Sequence, residues 1–241
     1  MAFLTAEWRK LIMAQYEVEP GVLAAWLPRG VELDLWQGRC LVSLVGFLFD
    51  RVRVKRLAIP LHTRFEEVNL RFYVVRTEAD GERRRGVVFV REFVPRWAIA
   101  WVAKTIYEGP YKAIPTRHEI ALRGEELRVK YEWKLGGRWH SLAVVAEREA
   151  QAIAAGSEEE FLTEHYWGYT KRGDGSTSAY AVEHPRWMAY KVRQSEIEVN
   201  FAELYGEAFA GLDGVAASSV LLAEGSAVRV LAGVKLAGVE R

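Results

Sequence analysis

With 241 residues, half of them hydrophobic and 27% charged, the chain has the composition of a folded globular protein, not of a disordered or collagen-like polymer. Lys and Arg number 33 against 32 Asp and Glu, a formal net charge of +1, so the electrostatic footprint of a nucleic-acid binder is absent. A single cysteine, Cys40, excludes an internal disulfide framework and fits a reducing compartment, and no apolar run approaches the ~18 residues of a membrane span.

The N-terminus carries Glu7, Arg9 and Lys10 where a secretory leader would have its apolar core, so a cytoplasmic protein is expected. Pro20 to Trp26 opens with proline in the first turn and predicts a short helix. Cys40 to Phe49 is the longest apolar run and has a strand's length. Phe65–Thr77 and Gly86–Val94 read as a strand pair around Asp80-Gly81, with Arg83-Arg84-Arg85 as a solvated hairpin tip. Pro95 to Tyr107, apolar nearly all round and carrying Trp97 and Trp101, predicts a buried helix. Leu127, Val129, Tyr131, Trp133 and Leu135 alternate with charged residues, which predicts a strand with one buried face. Gly136-Gly137 supplies the turn into a partner strand from Arg138 to Ala146. Ser157 followed by Glu160 is a capping-box pattern for a helix through about His165. Gly173-Asp174-Gly175-Ser176 divides Tyr166–Lys171 from Thr177–Glu183. A last short helix is expected over Phe201 to Phe209, then strands Ser218–Ala223 and Ala227–Ala232 around Glu224-Gly225. One mostly β domain spanning residues 1–241 follows, in which closure of the sheet removes exposed edges.

The usual chemical signatures are missing. His118-Glu119 begins like a zinc-protease motif, but position 122 is Leu. The five histidines show no close pairing and Cys40 has no second thiol, so no metal site is expected. Gly173-x-Gly175 lacks a third glycine, there is no Walker-type loop and no nucleophile elbow, and no cofactor is expected. One strand stands out. In Phe65–Tyr73 the even positions Val68, Leu70 and Phe72 form an apolar face, while the odd positions carry Glu67, Asn69, Arg71 and Tyr73. On an open sheet that polar face meets water; in a closed one it faces a lumen, with a carboxylate, an amide, a guanidinium and a phenol around a cavity. Lys112, in Pro110-Tyr111-Lys112, is either a solvated strand lysine or a nucleophilic amine with a lowered pKa.

The segments Phe65-Glu66-Glu67-Val68-Asn69-Leu70-Arg71, Ile106-Tyr107-Glu108-Gly109-Pro110-Tyr111, Glu160-Phe161-Leu162-Thr163-Glu164-His165-Tyr166 and Glu183-His184-Pro185-Arg186-Trp187 resemble the uncharacterised YqjF-like proteins, a family within the acetoacetate decarboxylase-like superfamily. The resemblance runs from about Trp8 to Phe201. It implies a closed or nearly closed, mainly antiparallel, cone-shaped β-barrel with a few peripheral helices and an internal cavity. In the decarboxylases a lysine forms a Schiff base with a β-keto acid, activated by an adjacent lysine. Matched position by position, Arg9 in Trp8-Arg9-Lys10-Leu11 corresponds to a cavity arginine and Glu67 to a cavity glutamate. A second cavity glutamate would fall near Val45, where there is no acid. The Schiff-base position is Tyr111, which cannot form an imine, and only the companion Lys112 remains.

The resulting expectation is a small-molecule-binding protein for a small organic acid or carbonyl compound. Arg9, Asn69, Arg71 and Tyr73 would bind the ligand, and Glu67, Tyr111 and Lys112 are the candidates for any catalysis. Competing readings are a lyase-type enzyme using Lys112 or Glu67 with Tyr111, and an oligomeric structural protein with a vestigial cavity. A homo-oligomer is compatible with each, and neither nucleic acid nor membrane is an expected partner.

Overall fold

The alternating segments become strands of a single hydrogen-bonded sheet. The computed structural model describes residues 2–58, 62–95 and 110–236. Among these, the strands are β1 (Ala2–Glu17), β2 (Glu32–Leu33), β3 (Leu41–Val54), β4 (Phe65–Thr77), β5 (Arg83–Val94), β6 (Tyr111–Ala113), β7 (Thr116–Arg123), β8 (Glu126–Leu135), β9 (Arg138–Ala152), β10 (Trp167–Lys171), β11 (Thr177–Glu183), β12 (Met188–Glu198), β13 (Ser219–Leu231) and β14 (Val234–Lys235). Helix is scarce among the described residues: α1 (Glu158–Thr163), α2 (Phe201–Tyr205) and 3-10 turns at Pro20–Leu23 and Glu207–Leu212. The mostly β expectation therefore holds. The helix expected over Pro95 to Tyr107, with Trp97 and Trp101, lies outside the described residues beyond Pro95.

Strand order follows β11-β10-β5-β4-β3-β1-β13, and β11 then pairs with β13 through Val182–Val230 and Glu183–Arg229. The path thus returns on itself as a ring of seven strands. Its pairings are antiparallel except for one short parallel contact, β10 on β5, and β6 adds a second parallel contact to β5 outside the ring. From β13 the sheet continues through β12, β9, β8 and β7.

This layout buries β4 on both faces. Its even positions Val68, Leu70, Phe72 and Val74 join Ile12, Leu44, Val129, Tyr131, Trp133 and Leu142 in one apolar core. The opposite face shares a second cluster with Leu11, Met13, Val45, Phe47, Phe49 and Phe161. Even the polar residues of the odd face, Glu67, Asn69 and Arg71, are buried. The sequence pattern of a half-wet strand here marks a strand whose second face meets the inside of the ring.

Several local expectations change for identifiable reasons. Ser218–Ala223 and Ala227–Ala232 are one strand, β13, because Gly225 (φ +78°) is accommodated opposite Arg9 without ending the pairing to β1. The helix expected over Phe201 to Phe209 is split by Gly206 (φ +106°) into α2 and a 3-10 turn. Ser157 does cap α1, its Oγ accepting from Glu160 N at 3.2 Å, but the helix ends at Thr163 and leaves His165 beyond it. Arg84 and Arg85 are not free at a hairpin tip: Arg84 pairs with Glu78 and Glu82, and Arg85 with Asp34.

Candidate functional site

Glu67, Asn69, Arg71 and Tyr111 line one cavity of about 80 Å³ inside the ring. On a scale where a buried water needs roughly 10–15 Å³, that is room for several waters or a small organic molecule. Trp8, Leu11, Phe47, Phe49, Val87 and Phe89 supply its apolar wall.

Strand geometry sets the polar groups. β4 delivers Glu67, Asn69 and Arg71 on alternate positions of one face. Tyr111 arrives from β6, paired in register with Glu92 of β5, and Glu92 itself pairs with Asn69. Glu92 is a cavity residue that sequence alternation misses. A bulge explains why: Leu70 pairs with Arg91 and Arg71 with Phe89, leaving Val90 as an extra residue in β5. The parity of β5 changes there, so Glu92 and Phe89 face the same cavity. A lone carboxylate in the apolar run Val87–Val94 is the only signal the sequence offers.

Three expected residues are placed elsewhere. Arg9 donates to Glu7 at 2.8 and 3.1 Å and lies 3.6 Å from Glu224. A bulge in β1, with Lys10 at φ +53°, turns Trp8 and Leu11 into the cavity and Arg9 away from it. Lys112 is exposed on β6, since alternation that turns Tyr111 inward turns its neighbour outward. Tyr73 is buried, but its hydroxyl is 2.5 Å from Ser43 Oγ and it is not part of the cavity wall.

The buried charges are unevenly compensated. Asn69 Nδ2 donates to Glu67 Oε1 at 3.0 Å. Burial pushes Glu67 up to about 7, against the pull of Asn69 and the positive Arg71. Glu92 is held well above the usual carboxylate range, first by burial and then by the negative charge of Glu67. Tyr111, hydrogen-bonded to Glu92, is kept as a neutral phenol by burial and by both carboxylates. Arg71 donates from Nη2 to the Leu162 carbonyl at 3.3 Å, and its Nε has no partner. Among the described residues no carboxylate forms an ion pair with its guanidinium, although Arg71 is only 8% exposed.

His165 completes the wall. Its Nε2 lies 3.1 Å from Asp34 Oδ2, which also accepts from Arg85 Nε at 2.6 Å. Burial lowers the imidazole to about 4 despite Asp34, while Arg85 and His165 together hold Asp34 below its usual value against its own burial. His165 Nδ1 has no partner, and neither has Asn69 Oδ1 or Trp8 Nε1. The cavity thus presents a cation, two carboxyl groups in a proton-retaining environment, a phenol and unpaired hydrogen-bonding atoms. Among the described residues no three His, Cys, Asp or Glu side chains gather as metal ligands.

The chain resembles acetoacetate decarboxylase from Legionella pneumophila with a TM-score of 0.68 at 15% identity, covering 97% of this chain and 87% of that one. An acetoacetate decarboxylase-like enzyme from Sphingomonas wittichii RW1 gives 0.66 at 15% identity, over 98% and 94%. The enduracididine biosynthesis enzyme MppR, in its complex with pyruvate, gives 0.65 at 12% identity, over 98% and 91%. At these identities the likeness establishes the fold. In sequence, the chain is 34% identical over 68 residues to the uncharacterized protein YqjF of Bacillus subtilis (strain 168), a match spanning 28% of each chain. The family model for DUF2071, described as an uncharacterized conserved protein (COG2071), matches residues 5–227. The chain is therefore a member of the DUF2071 family, built on the fold of the acetoacetate decarboxylase-like proteins.

Proposed function

We propose that the ring interior binds a small organic acid or carbonyl compound, with Arg71 taking the carboxylate. The observation that carries this reading is the buried Arg71 guanidinium, which has no carboxylate counterion among the described residues and stands on the wall of an internal cavity. A buried cation without an ion-pair partner is costly, and an anionic ligand relieves that cost through charge-assisted hydrogen bonds. The apolar wall covers the ligand's carbon skeleton, and Glu92 and Tyr111 offer protons to a carbonyl oxygen at the β5–β6 end. The complex of the structurally similar MppR with pyruvate is in keeping with this ligand class.

Schiff-base decarboxylation is not part of the proposal. Tyr111 is the residue turned into the cavity, and Lys112 is exposed on the outer face of β6. A second reading, proton transfer on the bound ligand by Glu67 with Tyr111, is favoured by one observation: burial holds the Glu67 carboxyl near neutrality, where it gives and takes a proton with equal ease.

A panel of small carboxylic, keto and hydroxy acids tests the binding reading by thermal stabilisation. Some member should stabilise the protein by roughly 2.7 kcal/mol at a hundredfold excess over its Kd. Arg71→Met should abolish that gain while leaving the ligand-free protein at least as stable, because it removes an unpaired buried charge. Equal stabilisation of both proteins, or none across the panel, would contradict the reading.

A further inference from the structure

His165 lies two residues beyond α1, on the same cavity wall as Arg71. Both side chains pack on one ring, that of Tyr73. The Arg71 guanidinium carbon is 5.8 Å from the centroid of Tyr73, and the His165 imidazole is 4.8 Å from it. Arg71 is further tied to this corner by donating to Leu162 O, in the last turn of α1.

The tautomer of His165 follows from its contacts. Asp34 Oδ2 sits between Arg85 Nε and His165 Nε2, and a carboxylate that already accepts from a guanidinium has no proton to give. His165 Nε2 must therefore carry the hydrogen. In the neutral ring this leaves Nδ1 as a bare acceptor, and Nδ1 is a buried atom with no partner on a side chain that is 1% exposed. A lone pair in this position is satisfied by a donor on whatever fills the cavity. A carboxylate or a keto oxygen has none to offer; a hydroxyl does.

We propose that His165 is a specificity-determining binding residue whose Nδ1 accepts a hydrogen bond from a ligand hydroxyl, and that the preferred ligand is a small hydroxy acid. This rests on the reading that Arg71 holds the ligand's carboxylate. Because Arg71 and His165 line one small cavity and both pack on the Tyr73 ring, the hydroxyl would be carried close to the carboxylate, on the adjacent carbon. Asp34 and Arg85 are positioning residues: they fix the ring and its tautomer without touching the ligand.

Isothermal titration of the full chain with three ligands of one carbon skeleton separates the contributions. Lactate (both enantiomers) carries a hydroxyl, propionate nothing, and pyruvate an acceptor. The better lactate enantiomer should bind about tenfold more tightly than propionate, equivalent to ~1.4 kcal/mol. Pyruvate should bind no more tightly than propionate. His165→Gln, whose amide reaches Asp34 in place of Nε2 and leaves no atom at Nδ1, should reduce the lactate preference below twofold while propionate binding stays unchanged. His165→Asn, which returns a polar atom near Nδ1, should restore part of the preference. Equal affinity of the wild type for lactate and propionate, or a preference that survives His165→Gln, overturns the proposal and leaves the role of Arg71 standing. Failure of all three ligands to bind contradicts the anion reading and this proposal with it. The ¹⁵N spectrum of the ligand-free wild type gives a check that needs no variant. His165 should show a hydrogen on Nε2 and a bare, pyridine-type Nδ1, and the opposite tautomer overturns the proposal.

Discussion

Glu67 keeps its proton over a pH range in which an exposed glutamate has lost it, because burial in the ring interior penalises the charged form more than Asn69 and Arg71 favour it. The folded protein therefore binds more protons than the unfolded chain between about 4.5 and about 7. Stability contributed by this group is complete below that window, falls as pH rises through it and is level above. Glu67→Gln retains an oxygen for Asn69 Nδ2 and removes the titration. Relative to wild type it should gain up to about 3 kcal/mol between pH 4 and pH 8, on the scale of ~1.4 kcal/mol per pKa unit, read from urea unfolding across that range. Parallel stability curves would place Glu67 in a wetter setting than the ring interior. Lys112 gives a second expectation at this scale. After incubation with acetoacetate and reduction with borohydride, intact mass should show no adduct on the protein. An adduct lost in Lys112→Ala would restore the lysine route. Much of this chemistry was legible in the sequence, since period-two alternation alone puts Glu67, Asn69 and Arg71 on one face. Glu92 was not, because the bulge at Val90 shifts its parity. His165 and Asp34 are 131 residues apart and meet only through the closed sheet, so no local pattern announces them.

Among the elements, the bulge in β1 against β3 decides what the N-terminal strand shows to the cavity. Lys10 takes a positive φ, and Gly225, opposite Arg9, does so as well, with a Cβ placed there only 2.0 Å from the Trp8 carbonyl oxygen. Backbone cannot move aside as a flexible side chain can, so Gly225→Ala should destabilise the protein by more than ~2 kcal/mol and lower its Tm by several degrees. An unchanged Tm would mean that the bulge has slack that this geometry lacks. Sequence signals did well where turn and alternation agree, as in β8, whose odd positions Leu127, Val129, Tyr131 and Trp133 are all buried. They did poorly where both faces are covered. From Leu11 to Tyr16 every residue of β1 is buried, which erases the period of two and with it the strand signature. Likewise Glu224-Gly225 resembles a hairpin turn and lies inside one continuous strand, a distinction that depends on the partner strand and not on the dipeptide.

At the scale of the whole molecule, closure of the sheet is what turns a polar strand face into the lining of an internal cavity. The β11–β13 contact joins the ends of a seven-strand path, and side chains that would meet water on an open sheet surround an internal space instead. The resemblance to the decarboxylases pointed to that closure, and the structural likeness over 97% of the chain bears out the fold. What differs is the furniture of the cavity: Tyr111 faces inward beside Lys112, and the second buried acid comes from Glu92 on β5, not from the Val45 position on β3. Anomalous scattering from crystals soaked in 3-bromopropanoate tests ligand binding inside this ring most directly. The predicted result is a bromine peak within the ring, with the carboxylate on Arg71, that vanishes in crystals of Arg71→Met. A peak confined to the outer surface, or an internal peak that persists without Arg71, would contradict it.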